Sequence, residues 1–339
     1  MLPALLLLYG LDERSQDFEI TSTLALVSAI SHALLPRGWR LMPLQVTHDL
    51  VLPLKPFDPS QWLIFNLCEG DPSQAFYYAR AARILSELGY TFTGSESWAL
   101  DETQFKWRMK ALFDRAGVPT PRWAVFEAAE QVEFDTFPAI VKPAASHCSY
   151  GITRDSVVLN LNEARTRARQ LIDEFNQPVL IEEFLDSQEY NVSLWGNGED
   201  VTVLGVSMMT YDAFDDIHDR LCTFEAKWVK ESAAYRQIPA ICPAPLSAEL
   251  KAQIEAVAIM AYRITGCRDY GRIDLRLKHG RPMVLDVNTN CDVSPEGGFA
   301  KAAHAAGLSY AEMLERIIHL AMRRMPSLEK PKLLEEAIA

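Results

Sequence analysis

Short apolar runs alternating with helix-periodic stretches predict an α/β protein built from two or three lobes. Three observations carry that prediction. At 339 residues the chain is too long for one simple core. Its first ninety residues alternate strand-like and helix-like patterns, the rhythm of a parallel α/β layer. Near its end, two apolar runs bearing acidic residues sit close enough together to form a hairpin. Taken in order, the apolar stretch near residues 4–9 reads as a buried first strand. It is not expected to be a leader, since it has no positive start and the run is far too short to span a bilayer. Ile20, Leu24, Val27 and Ile30 recur on one side of a helix, and strands follow near 40–46 and 61–66. A helix carrying Ala75, Ala79, Ala82 and Leu85 precedes the turn Thr93-Gly94-Ser95.

The next helix ends at Gly117-Val118-Pro119, where glycine and proline together stop it. Strands around 138–142 and 178–183 bracket a glycine-bearing loop and a helix with Leu161, Ala164, Ala168 and Leu171 on one face. Further strands run from Glu189, then a long irregular segment from about 208 to 242 and a helix from Ser247 to Ile264. The acidic hairpin comes next. Helical pattern returns from about 299 to 323, broken at Gly307, and the tail beyond Pro326 is polar.

Composition limits the function. Hydrophobic residues make up 49% of the chain and charged ones 23%, as in an ordinary globular protein. A net charge of -12 argues against general affinity for nucleic acid or an anionic membrane, so a small anion would have to be held by local positive charge. Cys68, Cys148, Cys222, Cys242, Cys267 and Cys291 show no Cys-x-x-Cys pair or zinc-like spacing, which fits a reduced cytoplasm.

The hairpin is the most informative segment. Gly271-Arg272-Ile273-Asp274-Leu275 and Pro282 through Asn290 read as adjacent strands joined at Lys278-His279-Gly280-Arg281. Alternation puts Asp286 and Asn288 on one face of their strand, and Arg272 and Asp274 on one face of the other. Two carboxylates and an amide oxygen suit Mg²⁺ with positions left for phosphate oxygens. A solvated acidic hairpin is the plain alternative.

The stretch from Gly271 through Asn290 and on to Gly307-Leu308-Ser309-Tyr310 resembles the carboxyl-terminal signature of ATP-grasp ligases of the D-alanine–D-alanine ligase type. Five further segments match in the same order: Thr93-Gly94-Ser95, Ala116 through Pro121, Ile140-Val141-Lys142-Pro143, Val179 through Phe184, and Phe224-Glu225-Ala226-Lys227. The resemblance implies an ATP-grasp fold in which residues 1–95 form an N-terminal α/β substrate-binding lobe. A central lobe would span 96–186, a C-terminal lobe with the metal site 187–325, and a peripheral tail 326–339. It also implies an ADP-forming carboxylate–amine ligase that uses ATP with Mg²⁺ or Mn²⁺ and small-molecule carboxylate and amine substrates. No nucleic-acid or membrane partner is expected; a homodimer through the first lobe is usual in such a family.

The resemblance assigns roles residue by residue. Lys106 and Lys142 match the phosphate lysines, which suit polyphosphate as point charges. The loop from Pro143 to Ile152, including Cys148 and Ser149, falls where small residues close over the phosphates, though its single glycine is a weak phosphate motif by itself. Glu182, Glu183 and Leu185 fall at the adenine-binding linker and Glu189 at the ribose. Lys227 matches a lysine brought to the transferred phosphate by a mobile loop, for which the irregular 208–242 segment is suited. Its acidic cluster Asp212, Asp215, Asp216 and Asp219 reads as solvated surface, or else as facing a cationic substrate. Asp274, Asp286 and Asn288 match the metal ligands, Arg272 the donor to the reaction's oxyanion, and Glu19 the acid that holds the first substrate's ammonium group. A helix start also favours glutamate on electrostatic grounds alone.

Three departures bear on specificity. Cys148 and Trp228 stand where D-alanine–D-alanine ligases have a serine and a tyrosine linked to the acid matching Glu19. A thiol bonds weakly and a tryptophan only donates. Gly297 and Gly298 replace a serine and an apolar residue that receive the second D-alanine, which enlarges the acceptor pocket. Asp286 replaces a glutamate. The expected activity is ligation of an amino acid or related acid to an amine bulkier than D-alanine; true D-alanine–D-alanine ligation and a non-catalytic ATP-binding sensor or scaffold are the alternatives.

Overall fold

A computed structural model describes residues 3–70, 74, 77–146, 149–223 and 236–325. The expected roles of Cys148, Lys227 and Trp228 therefore fall outside the described residues, as does the tail from 326. By contact the chain divides into two compact units, the first comprising 1–97 with 309–339 and the second 98–308.

In the first unit, β1 (Ala4–Gly10) is the middle strand of a parallel sheet, flanked by β2 (Leu41–Val46) and β3 (Trp62–Asn66). A middle strand is covered on both faces, which is why the run Leu5 through Leu8 is apolar without alternation and fully buried. Helix α1 (Asp17–Leu34) turns Val27, Ile30 and Leu34 into the core. Residues Asp17–Arg37 are long and apolar enough, by length and composition, to cross a membrane, yet the helix packs against another of this unit, at Tyr310–Met322. A short α2 (Val51–Leu54) and α3 (Tyr78–Glu87) follow, α3 burying Ala79, Ala81, Ala82 and Leu85.

The second unit begins with α4 (Ser97–Gln104) and α5 (Lys106–Ala116), two helices where the sequence reads as one. Gly117 ends α5 in the left-handed region at φ 71°. Strands β4 (Trp123–Phe126), β5 (Ala139–Pro143), β6 (Val157–Val158) and β7 (Val179–Glu183) form an antiparallel sheet in the order β4-β7-β5-β6. Helix α6 (Leu161–Phe175) lies on it, placing Ala164, Ala168 and Leu171 against Ala139, Val141, Val179 and Ile181. Asn160 caps this helix by accepting from the Glu163 amide.

A second antiparallel sheet has the order β10-β9-β8-β11-β12, made from β8 (Glu189–Asn197), β9 (Asp200–Met209), β10 (Ala240–Ile241), β11 (Asp269–Lys278) and β12 (Arg281–Asn288). Helix α7 (Ala248–Ile264) covers one face, its Ile254, Ala258, Ala261 and Tyr262 packing with Val192, Leu194, Ile273, Leu275, Val284 and Val287. The hairpin turns at His279 and Gly280, both with positive φ, which matches the twist of the two strands. Helix α8 (Gly298–Ala305) contacts β8 and β9, and α9 (Tyr310–Met322) returns the chain to the first unit after Gly307.

Candidate active site

With one face of the five-stranded sheet committed to α7, the other carries polar chemistry. Pairing across β11 and β12 sets Asp274 opposite Asp286 and Arg272 opposite Asn288. Pairing with β8 sets Asn191 opposite Asp274 and Glu189 opposite Arg276. Directly opposed residues share a face, so Glu189, Asn191, Arg272, Asp274, Arg276, Asp286 and Asn288 all line it. A bulge between Asp274 and Leu275 offsets the register beyond this cluster and keeps the apolar residues turned to α7.

Asp274 is the hub. Arg272 donates to it twice, Nε to Oδ1 at 2.7 Å and NH2 to Oδ2 at 2.9 Å. Asn191 Nδ2 donates to Oδ1 at 2.8 Å and Asn288 Nδ2 to Oδ2 at 3.1 Å. Burial would depress the Arg272 pKa, but the paired Asp274 carboxylate outweighs it and holds the guanidinium well above its ordinary value. This arginine is a permanent cation at the centre of the face.

The donor set fits a hard divalent cation. Asp274 and Asp286 are opposed carboxylates, and the Asn288 amide bonded to Asp274 can present oxygen as readily as nitrogen. The four acceptor positions of Asp274 are taken by Arg272, Asn191 and Asn288.

The lysines expected at the phosphates lie on β5 and at the start of α5 of this unit. Lys142 closes β5, and its ammonium pairs with Glu182 Oε1 across the sheet. Glu182 is also paired through Oε2 with Lys110 at 2.7 Å. Lys110 is fully buried; its Nζ donates at 2.7 Å to Thr120 Oγ1, which donates at 2.8 Å to the Val284 carbonyl on β12. Burial opposes ionisation of Glu182, but the two ammonium groups prevail and hold its carboxyl below the usual range. Burial lowers the Lys110 pKa, the charge on Lys142 adds to that, and Glu182 and Asp286 oppose it. Through Thr120 and the Val284 carbonyl Lys110 is tied to β12, the strand that carries Asp286. Lys106, buried at the start of α5, donates to the Ser146 carbonyl, and its amide bonds Ala144 O at 3.1 Å. Lys106 therefore meets the loop that follows β5, while Lys142 faces Glu182 on β7. Ser149 lies in that loop with φ 62°, its hydroxyl donating to Cys222 O at 2.9 Å.

The linker after β7 is anchored to the same sheet. Lys278 pairs with Glu183 at 2.6 Å. Arg276, buried, donates to Leu185 O and Arg220 O at 2.9 Å each, reaches Glu189 Oε2 at 3.4 Å, and lies over the rings of Phe184 and Tyr211. Tyr211 also donates to Glu189, at 3.3 Å. Of the expected adenine and ribose residues, Glu183, Leu185 and Glu189 are thus held by Lys278 and Arg276 of β11, and the Glu182 carboxylate by lysines. Of the acidic cluster, Asp216 and Asp219 pair with Arg154, Asp216 also with His218, and Asp212 accepts from Gln188.

Glu19 lies in the first unit, exposed, and accepts from the Gln16 amide at 2.8 Å as part of a capping box on α1. At Gly298 a side chain would meet open space. At Gly297 a Cβ would lie 2.7 Å from Asp292 Oδ2, so the room left by the missing side chain is filled by a carboxylate. Four residues that this site uses escape the sequence reading: Lys110, Asn191, Arg276 and Asp292. The period-two run Arg272, Asp274, Arg276 is the signal that points to one of them.

Comparison with known proteins bears on family and fold. The family described as "D-ala D-ala ligase C-terminus" matches residues 112–319. The chain is 31% identical over 284 residues to the uncharacterized protein y4sG of Sinorhizobium fredii, covering 83% of this chain and 81% of that one. It is 31% identical over 242 residues to a D-alanine–D-alanine ligase of Alcanivorax borkumensis, covering 71% and 72%, and 29% identical over 243 residues to one of Methylacidiphilum infernorum, covering 71% and 74%. The crystal structure of a D-alanine–D-alanine ligase from Bacillus anthracis complexed with ATP superposes with a TM-score of 0.70 over 95% of this chain and 98% of that one; at 19% identity this likeness speaks to fold. The chain belongs to the D-alanine–D-alanine ligase-like family of ATP-grasp enzymes, which are ATP-dependent, ADP-forming carbon–nitrogen ligases.

Proposed function

We propose that this enzyme phosphorylates the carboxylate of an amino acid or related acid with ATP and passes the acyl group to an amine other than D-alanine. The observation that carries the reading is the Arg272–Asp274–Asn288 cluster opposite Asp286, joined through Lys110 to the Glu182–Lys142 pair. A carboxylate oxygen attacks the γ-phosphorus, giving ADP and an acyl phosphate; the amine then attacks the acyl carbon and phosphate leaves. Lys106 and Lys142 hold the phosphates, and Lys227 joins them there. Ser149 and the residue before it, Cys148, close over the phosphates; Glu182, Glu183 and Leu185 receive the adenine and Glu189 the ribose. Arg272 donates to the oxygen of the tetrahedral intermediate, a role whose loss costs about 3 kcal/mol of barrier. Glu19 and Trp228 line the donor end, and Gly297 and Gly298 the acceptor end.

Asp274, Asp286 and Asn288 would hold Mg²⁺ or Mn²⁺, which supplies charge neutralisation between the approaching anions. Three lobes, divided near 95 and 186, would contribute these groups. The exposed apolar residues Phe18, Leu24 and Leu35 on and beside α1 favour pairing of two chains through the first lobe. Among the described residues five cysteines are free, which favours a reducing cytoplasm.

An ADP-release assay over amino-acid and amine pairs tests this reading. Turnover is expected with at least one carboxylate–amine pair that omits D-alanine as acceptor. ATP consumption confined to D-alanine pairs would refute the altered acceptor site.

A further inference from the structure

The loop between β12 and α8 borders Arg272 directly. Cys291, three residues beyond Asn288, is buried. Asp292 follows it, four residues beyond Asn288, which β12 pairs with Arg272. Its carboxylate accepts from the Ser294 amide and hydroxyl, both at 2.8 Å, and its Oδ2 lies where a Cβ on Gly297 would be. Gly297 is the residue before the first turn of α8, where the helix offers amides with no side-chain cap. Such a position favours an anion, and the Asp292 carboxylate lies against the residue that precedes it. A substrate carboxylate arriving at the same place would add a second negative charge to a partly buried one.

We propose that Asp292 is a specificity-determining residue that makes the acceptor end of the site select amines bearing a cationic or uncharged far end, a diamine or an amino-acid amide, over free amino acids. This rests on the ligase reading above and deepens it. Gly297 follows from the same arrangement: any side chain there collides with Asp292, so the glycine makes room for the charge and does not enlarge the pocket. A turn-forming role alone would be served equally by asparagine, whose Oδ1 also accepts from the Ser294 amide. Charge is what distinguishes the two.

Two measurements on the full chain keep the inference and the ligase reading separable. The first uses ATP, Mg²⁺ and hydroxylamine with D-alanine and each of the twenty protein amino acids; a hydroxamate reports the acyl phosphate without using the acceptor site. Its absence with every donor would overturn the ligase reading. The second measures, by calorimetry on protein saturated with a non-hydrolysable ATP analogue and Mg²⁺, the binding of alaninamide, 1,4-diaminobutane and alanine, and compares the first two with alanine as acceptors wherever a donor turns over. The amide or the diamine is expected to outbind alanine by at least ~10-fold, and Asp292→Asn to shrink that ratio to within ~3-fold. Equal or tighter binding of alanine, binding of none of the three, or a ratio unmoved by Asp292→Asn would overturn the inference.

Discussion

Glu182→Gln should be far more damaging than Lys110→Met, although the lysine is the more completely buried of the two. Glu182 stands between Lys110 and Lys142, so the buried trio carries two positive charges and one negative. Removing Lys110 leaves a neutral Lys142–Glu182 pair and frees Thr120 Oγ1 of one donor while it keeps its bond to Val284 O. The lost ion pair is offset by the desolvation that Lys110 no longer suffers, and a net cost of about 1–2 kcal/mol follows. Removing the glutamate charge leaves two buried ammonium groups facing an amide, the uncompensated case, at roughly 3–5 kcal/mol. For a unit of this size about 1 kcal/mol moves the midpoint by 2–4 °C, so the second variant should melt ~6–20 °C below the wild type and the first ~2–8 °C. Thermal unfolding of the apo-protein at pH 7, followed by calorimetry so that each transition is seen separately, measures both. Equal midpoints for the two variants, or a lower one for Lys110→Met, would refute the charge argument.

The same trio fixes a pH dependence. Glu182 has a depressed folded-state pKa, so its stabilisation is present above the ordinary glutamate value of ~4.3 and is lost as pH falls through the lower folded value. The gap in stability between wild type and Glu182→Gln should therefore close below about pH 4 in an acid titration, and a gap that widens there contradicts the assignment. Arg276→Lys keeps the charge but loses the forked donation to Leu185 O and Arg220 O, and it should raise the KM for ATP roughly 5–10-fold with less effect on kcat. Asp274→Asn should fold but lower kcat by about a thousandfold, since it removes charge from the cation site and unpairs Arg272. Gly196→Ala places a methyl 1.9 Å from the Asp200 carbonyl at a φ of 122°, and chemical denaturation should show a loss of roughly 2–3 kcal/mol.

The hairpin was the part most legible from the chain, because alternation has a fixed period and the turn needs a residue that tolerates positive φ. His279 and Gly280 make that turn, and Asp274, Asp286 and Asn288 fall on one face as spacing requires. The buried β1 was legible for a similar reason: four successive leucines suit a middle strand. Lys110 was hidden because a lysine four residues after Lys106 looks like a solvated helix face, and only the arrival of Glu182 from β7 makes its burial tolerable. The break between α4 and α5 was hidden because Phe105 at that point carries no helix-stopping signal of its own. Asp292 was hidden because its place beside Gly297 depends on how the loop folds back on itself, which no local period encodes.

Transfer of oxygen from the donor acid to phosphate tests the central claim most directly. With a donor acid labelled with ¹⁸O in its carboxylate, the account predicts that one labelled oxygen appears in the inorganic phosphate for each amide formed, with ADP as the nucleotide product. Unlabelled phosphate, or AMP and pyrophosphate in place of ADP and phosphate, would contradict it.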